Sequence, residues 1–193
     1  GSWKEGAGAV FAENQVLSFL ASECGLPEGS GGLFVQGGTL GNLSALVAAR
    51  HRAAQALKAQ GKPKPDSWKF ICSAEAHSSL KAAAAVMDVE IIKAEVGDDG
   101  RLRGPAVQAA LEAAGDGVFA IVATGGTTNF GIVDKLDEIG AIANANNIWF
   151  HVDGAYGLAG ILADVSKPLF AGLERADSFI VDPHKWLFAP FDA

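Results

Sequence analysis

Cysteine, long apolar runs and excess positive charge are all scarce in this sequence of 193 residues. Cys24 and Cys72 are too few and too far apart for a disulfide framework or a CxxC metal site, so we expect free thiols, no bound metal and a cytoplasmic location. No apolar run approaches the roughly 20 residues that cross a membrane, and the start, with Gly1-Ser2 interpreted as a cloning scar, is not a signal peptide. The formal charge of -7 argues against nucleic acid as a partner. A soluble protein with at most a local site for a small anion is expected.

The whole chain, residues 1–193, has room for one domain, in which helical segments alternate with short apolar runs. Helical spacing of apolar residues predicts helices at 9–23, 39–61, 78–87, 105–114 and 136–146, and apolar runs predict strands at 69–72, 118–123, 148–152 and 178–181. Such alternation is typical of a three-layer α/β fold with a mainly parallel sheet. Ligands bind at the carboxyl ends of strands in these sheets, and four groups of candidate residues fall near helix starts or strand ends.

The first group is Gln36-Gly37-Gly38-Thr39-Leu40-Gly41-Asn42, directly before or within a predicted helix. Glycines permit close backbone approach, and a helix start offers free N–H groups and a positive dipole end to a phosphate. A simple turn with Thr39 as N-cap explains the same residues. The pattern is not GxxxxGK[ST], which disfavours a nucleotide P-loop.

The second group contains His77, which follows the strand that ends near Cys72. An imidazole at this position can stack on a flat heteroaromatic ring or act as an acid or base. The alternative is a helix-capping or surface histidine.

The third group is His151-Val-Asp-Gly-Ala-Tyr156, in which Asp153 stands at a strand end. A partly desolvated carboxylate keeps a pyridine nitrogen protonated, and the cationic ring then accepts electrons. The alternative is a structural aspartate that caps the turn before Gly154. Thr127 and Thr128, after another strand, either hold the carboxylate or the ring in place or are only turn residues.

The fourth group is Asp182-Pro-His-Lys185-Trp186, which follows the last predicted strand. A lysine in apolar surroundings has a lowered pKa and becomes a usable amine nucleophile, which indicates imine chemistry. A buried structural lysine paired with Asp182 is the alternative.

Together, Gly37-Gly38-Thr39, Glu75-Ala-His77, the His151–Tyr156 segment and Asp182-Pro-His-Lys185-Trp186 resemble the group II pyridoxal-phosphate (PLP) dependent amino-acid decarboxylases. This family contains the aromatic-L-amino-acid, histidine and glutamate decarboxylases, and the resemblance extends from Glu13 to Asp192. It implies the aspartate-aminotransferase fold (fold type I), a homodimer or a complementary chain as partner, and decarboxylation of an L-amino acid.

The resemblance also implies a role for each site residue. Lys185 forms the Schiff base with PLP, Asp153 pairs with the pyridine nitrogen, and His77 stacks on the ring. Thr128 orients Asp153. The remaining cofactor contacts are Gly38, Thr39 and His184 at the phosphate, with Gly37, Ala155 and Asp182 nearby.

The chain resembles only part of these enzymes, since the family has a segment before it and a catalytic loop and small domain after it. An aminotransferase or a carbon-sulfur lyase on the same fold shares the lysine, the aspartate and the phosphate site. A fragment or partner subunit without turnover is a further alternative. A nicotinamide-dependent enzyme is disfavoured because no GxGxxG opens the first crossover unit.

Overall fold

The computed structural model describes residues 3–191, so Gly1-Ser2, interpreted as a cloning scar, and Asp192, where the resemblance ends, lie outside the described residues. Helices and strands alternate along the described chain, as the sequence predicts. In chain order the elements are α1 (Ala7–Glu23), α2 (Gly37–Ala59), β1 (Lys69–Ser73), α3 (Ser78–Met87), β2 (Glu90–Ala94), α4 (Gly104–Ala114), β3 (Val118–Thr124), α5 (Leu136–Ala145), β4 (Trp149–Asp153) and β5 (Ser178–Ile180).

The strands form one parallel sheet with the order β2-β1-β3-β4-β5. The chain passes from β1 outward to β2 and then returns to the other side of β1, so the crevice above β1 and β3 is a switch point of the topology. β2 is absent from the predicted strands. It lies at the sheet edge and carries Glu90 and Lys93 among its five residues, so it contains no apolar run.

Helices cover both faces of the sheet, which confirms the predicted three-layer α/β architecture. Side chains alternate between the faces, so that Phe70 packs under α2 and α3 with Leu46 and Leu80, and Ile71 faces α4 and α5 with Ile139. The central strand β3 is buried along almost its whole length, as a strand covered on both faces must be.

Both cysteines are free and buried, one in each of these cores. Cys24 ends α1 and packs in the core on the α4 and α5 side, whereas Cys72 of β1 faces α2 and α3. Burial raises the pKa of each thiol to about 12. Neither thiol is therefore a nucleophile in the folded protein at neutral pH.

Three short 3₁₀ helices, Leu158–Leu162, Lys167–Phe170 and Leu173–Arg175, connect β4 to β5. The sequence did not predict them, because single turns contain too few residues to show a period. No helix between residues 3 and 191 has the length and apolar character that crossing a bilayer would need.

Candidate functional site

The structure brings the four predicted groups to one edge of the sheet. His77 follows β1, Thr127 and Thr128 follow β3, Asp153 ends β4, and the segment with Lys185 follows β5. All strands run parallel, so their carboxyl ends lie at the same edge, where ligands of such folds bind.

The start of α2 contributes a close backbone approach to this edge. α2 begins at Gly37, with Gln36 as N-cap, so Thr39 lies in the first turn and the alternative that made Thr39 the N-cap is wrong. The φ angle of Gly37 is +82°, which favours glycine. A Cβ atom on Gly38 would lie 3.1 Å from Asp182 Oδ2 and 3.2 Å from Ala155 Cβ. The start of this helix of 23 residues, which carries the positive end of the helix dipole, therefore lies directly against Asp182 and Ala155.

Asp153 is a buried carboxylate that accepts two hydrogen bonds. Asn42 Nδ2 donates to its Oδ2 at 2.9 Å, and the backbone N–H of Ala155 donates to its Oδ1 at 3.2 Å. Within residues 3–191, no lysine, arginine or histidine nitrogen lies within 4.0 Å of it. Burial of a charge without a counter-ion is costly. The site therefore fits a ligand that brings its own positive charge, such as a protonated pyridine ring.

The threonines after β3 do not supply the hydrogen bonds to Asp153. Thr128 is exposed, and Thr127 Oγ1 accepts a hydrogen bond from the N–H of Ile132 at 3.1 Å within its own loop. Asn42 holds the carboxylate instead of Thr128, and Thr127 is a turn residue, which was the alternative for this position.

Asn42 is the residue of this site that the sequence reasoning missed. Its Nδ2 donates to Ser79 Oγ as well as to Asp153, both at 2.9 Å, and its Oδ1 lies 2.9 Å from Nε2 of His151. A signal was present, because Asn42 follows Gly38 by four residues and so lies on the same face of α2. Asn42 enters the sequence-based prediction only as the last residue of the glycine-rich motif.

His77 caps α3. Its Nδ1 accepts a hydrogen bond from the backbone N–H of Ser79 at 3.2 Å and lies 2.9 Å from Ser79 Oγ. The capping role is thus present, as the alternative for this residue stated. The residue is otherwise exposed, so its ring remains accessible and stacking on a cofactor stays a prediction.

Lys185 forms an ion pair with Asp182 at 2.8 Å, so the partner that the alternative named is present, whereas the burial of the lysine that it required is not. Its side chain is 36% exposed, more than the apolar flanking residues suggested. Asp182 is buried, and its N–H donates to the carbonyl of Ala155 at 3.1 Å. His184 Nε2 lies 4.0 Å from the same Asp182 oxygen, so Asp182 connects Lys185 with the residues expected at the phosphate.

Two buried ionisable groups behind the site have shifted pKa values, and in both cases burial favours the neutral form. Burial lowers the pKa of His151 to about 4, although the charge of Asp153 and a hydrogen bond from Ser178 act in the other direction. Burial raises the pKa of Asp134 to about 6, although the N–H groups of Thr124 and Leu102 donate to it at 2.7 and 2.8 Å. Near pH 7 His151 is therefore a neutral imidazole.

These shifts predict a pH dependence of stability that a single substitution exposes. Below pH 6.5 the unfolded chain protonates His151, whereas the folded protein does so only near pH 4, so this contribution to stability is lost as the pH falls through that window. Asp134 acts oppositely, since its folded pKa of about 6 lies above the ordinary 3.8 and its contribution grows as the pH falls. We expect the free energy of unfolding of His151→Gln, relative to that of the wild type, to rise by about 3 kcal/mol as the pH falls from roughly 7 to roughly 4.

Urea denaturation at several pH values measures this difference. Asp134→Asn is the matched variant and should instead lose stability relative to the wild type over the same range. Parallel curves of stability against pH for all three proteins would contradict the assignment.

Two cavities flank the site. One of about 480 Å³ lies among the loops after β1, β2 and β3 and includes Glu75, Thr127 and Thr128. The other, of about 650 Å³, runs between α1, α2 and β5 and includes Gly37, Gly38 and Asp182. Both have the size of small-molecule sites, and neither is lined by Lys185, Asp153 or His77, which lie outside both.

Solved structures with the same fold include a complex with PLP. The glutamate decarboxylase domain of a diaminobutyrate-pyruvate transaminase and L-2,4-diaminobutyrate decarboxylase from Vibrio parahaemolyticus matches with a TM-score of 0.87 and 33% identity, over 98% of this chain and 43% of that one. Oryza sativa TDC with PLP and tryptamine matches with a TM-score of 0.86 and 26% identity, over 99% and 42%. Fold and site thus define part of the large domain of a fold-type-I PLP enzyme.

The sequence comparisons narrow this class to one family. The family described as "Pyridoxal-dependent decarboxylase conserved domain" matches residues 2–193. The aromatic-L-amino-acid decarboxylase of Bacillus atrophaeus is 35% identical over 99% of the chain and 40% of its own length, and the L-2,4-diaminobutyrate decarboxylase of Rhizobium meliloti (strain 1021) is 38% identical over 98% and 38%. The chain belongs to the pyridoxal-dependent decarboxylase family, which confirms the predicted family and its cofactor. It spans about two fifths of the length of these relatives.

Proposed function

We propose that the protein decarboxylates an L-amino acid with PLP held at the carboxyl edge of the sheet. The observation that carries this proposal is the buried carboxylate of Asp153, which lacks a cationic partner among residues 3–191 and lies at the same edge as a helix start and a lysine. PLP supplies the missing cation, a phosphate for the helix start and an aldehyde for the lysine.

Each residue has a separate task in this site. Asp153 keeps the ring nitrogen protonated, and the N–H groups at the start of α2, with Gly38, Thr39 and His184, bind the phosphate. His77 offers an exposed imidazole to the face of the ring, and Lys185 provides the amine. PLP, when bound, supplies a cationic ring that accepts the electron pair left by departing carbon dioxide.

Asp182 positions the amine of Lys185 in this arrangement and is placed to accept its proton. The ion pair at 2.8 Å keeps the Lys185 amine close to the Gly38 backbone, against which Asp182 packs. An ammonium group is not a nucleophile, so its proton must leave before the amine can attack a carbonyl carbon. The carboxylate of Asp182 is the nearest acceptor in the structure.

The experiment that tests the proposal combines trapping with an assay. The protein is mixed with PLP, reduced with borohydride and mapped by peptide mass spectrometry, and carbon dioxide release is measured with aromatic, acidic and diamino L-amino acids. A phosphopyridoxyl group on Lys185 together with release from one substrate class is expected. An adduct without release would favour a non-catalytic chain or another PLP reaction, and no adduct on Lys185 contradicts the proposal.

The close approach at Gly38 gives a second test. In Gly38→Ala the new methyl group presses on Asp182 and Ala155 at 3.1 to 3.2 Å, which displaces the helix start from its position at the phosphate. We expect PLP affinity to fall about tenfold, the equivalent of roughly one weakened charge-assisted hydrogen bond. Titration of the visible absorbance band measures it.

Gly8→Ala is the matched control. A Cβ at Gly8, in α1, would have nothing within 4 Å, so PLP affinity should not change and helix stability should rise slightly. Equal PLP affinity for Gly38→Ala and Gly8→Ala would argue against a phosphate site at the start of α2.

We further propose a homodimer in a reducing, cytoplasmic compartment. α1 exposes Phe11, Val16 and Phe19, which is more apolar surface than one isolated helix usually presents to water, and both cysteines are free. Sedimentation of the protein at several concentrations tests the dimer, and a species of monomer mass at all of them would contradict it.

A further inference from the structure

A continuous set of hydrogen bonds runs from the surface of the protein to Asp153 and His77. We call it the Asn42 network. Its members are Trp149, Ser178, His151, Asn42, Ser79, His77 and Asp153. It joins β4, β5, α2 and the start of α3, and its six links between side chains are 2.8 to 2.9 Å long.

The direction of every bond in the outer half follows from chemistry. The indole N–H of Trp149 can only donate, so Ser178 Oγ accepts it at 2.8 Å. The Asp153 carboxylate can only accept, so Asn42 Nδ2 donates to it and Asn42 Oδ1 faces His151 Nε2 at 2.9 Å. Nε2 therefore carries the single proton of the neutral imidazole, and the Ser178 hydroxyl donates to Nδ1 at 2.8 Å.

The inner half is fixed in the same way. With Oδ1 engaged by His151, the amide group of Asn42 directs both its protons inward, one to Asp153 Oδ2 and one to Ser79 Oγ. His77 Nδ1 already accepts the backbone N–H of Ser79, so the Ser79 hydroxyl donates to this nitrogen and the His77 proton lies on Nε2. No buried side-chain nitrogen or oxygen of the described residues, those of the network included, lacks a hydrogen-bond partner.

We propose that Asn42 and His151 are positioning residues for the cofactor: they orient the Asp153 carboxylate toward the pyridine nitrogen and, through Ser79, couple it to the ring of His77. This proposal rests on the proposed function. A reversed Asn42 amide would place Oδ1 against the carboxylate, and His151 prevents this reversal. Asn42, Ser79, His151 and Asp153 are all buried, so water cannot replace a lost donor easily.

The test compares variants of the PLP-loaded protein by the ring-nitrogen chemical shift of ¹⁵N-labelled PLP and by PLP affinity. Asn42→Leu, with the same number and branching of heavy atoms, and His151→Leu should shift the ring nitrogen toward its unprotonated value and weaken PLP binding about tenfold or more. His151→Gln keeps an N–H near the position of Nε2 and should restore much of the wild-type shift and affinity. Asn144→Leu, at an exposed asparagine of α5, is the control and should change neither.

A measurement on the wild type makes the proposal independent of whether the variants fold. Imidazole ¹⁵N spectra should show both His77 and His151 with the proton on Nε2 at neutral pH. A charged His151, or a proton on Nδ1 of either ring, would overturn the proposal.

Failure of this inference is distinct from failure of the proposed function. A wild type that traps PLP on Lys185, with an unchanged ring-nitrogen shift in folded Asn42→Leu and His151→Leu, would overturn the positioning role alone. A wild type that traps no PLP would remove the proposed function itself.

Discussion

Replacement of Lys185 by alanine is expected to eliminate the reducible PLP adduct and to lower decarboxylation by roughly a thousandfold or more, the scale on which loss of a covalent nucleophile acts. The physical reason is that in the proposed function the reacting amine is that of Lys185, which faces Asp182 at this edge of the sheet. Borohydride trapping and carbon dioxide release are the two measurements. They should fail together in this variant.

Lys185→Arg distinguishes the ability to form an imine from the effect of the positive charge beside Asp182. An arginine retains the positive charge and an ion pair with Asp182 but cannot form an imine, so trapping should be lost while folding is preserved. Lys167→Ala, at a lysine that is 52% exposed and 3.3 Å from Glu23, should leave both readouts at wild-type level. Trapping that persists in Lys185→Ala would assign the amine to another lysine.

The substitution Asp153→Asn is expected to have the second largest effect. An amide of the same shape cannot provide the charge that keeps a ring nitrogen protonated, and loss of one partner of a buried ion pair costs about 3 to 5 kcal/mol. Activity should therefore fall by at least about a hundredfold, with a parallel loss of PLP affinity. Steady-state carbon dioxide release and PLP titration measure the two effects.

The same variant should have the opposite effect on the protein without PLP. Asp153 is buried with no cation partner within residues 3–191, so its neutral replacement removes the cost of burying a charge. We expect this gain to outweigh the loss of the one hydrogen bond, from Asn42 or from the Ala155 N–H, that an amide with a single oxygen cannot accept. Urea denaturation should find Asp153→Asn at least as stable as the wild type before PLP is added and less stable after it. A variant that is destabilised equally in both states would show that Asp153 has a structural role only.

Strong local patterns made most of the fold predictable. The apolar run of β3 and the helical spacing of α3 gave boundaries within one residue of the structure, because both elements are buried against the sheet and their sequences show it. β2 was missed because an edge strand is half solvated and needs no apolar run. The 3₁₀ turns before β5 were missed because no periodic signal accompanies them.

The sequence predicted which residues form most of the candidate site, but it did not predict which of them are hydrogen-bonded to one another. Parallel strands bring their carboxyl ends together, so the positions of His77, Asp153 and Lys185 followed from strand prediction alone. The partner of Asp153 did not follow, because Asn42 is 111 residues away from it in the chain and the contact depends on how α2 crosses β4. The resemblance suggested that Thr128 orients Asp153, whereas in the structure Asn42 of α2 donates the hydrogen bond to this carboxylate.

The two buried thiols allow local opening of the protein to be measured by chemical labelling. A thiol reagent modifies a protected cysteine only when the structure around it opens, and the labelling rate then measures the free energy of that opening. Cys24 reports the end of α1 and the core beneath α5, whereas Cys72 reports the strand that leads to His77. Labelling with and without PLP would therefore show which layer of the molecule the cofactor makes more rigid, without any engineered probe.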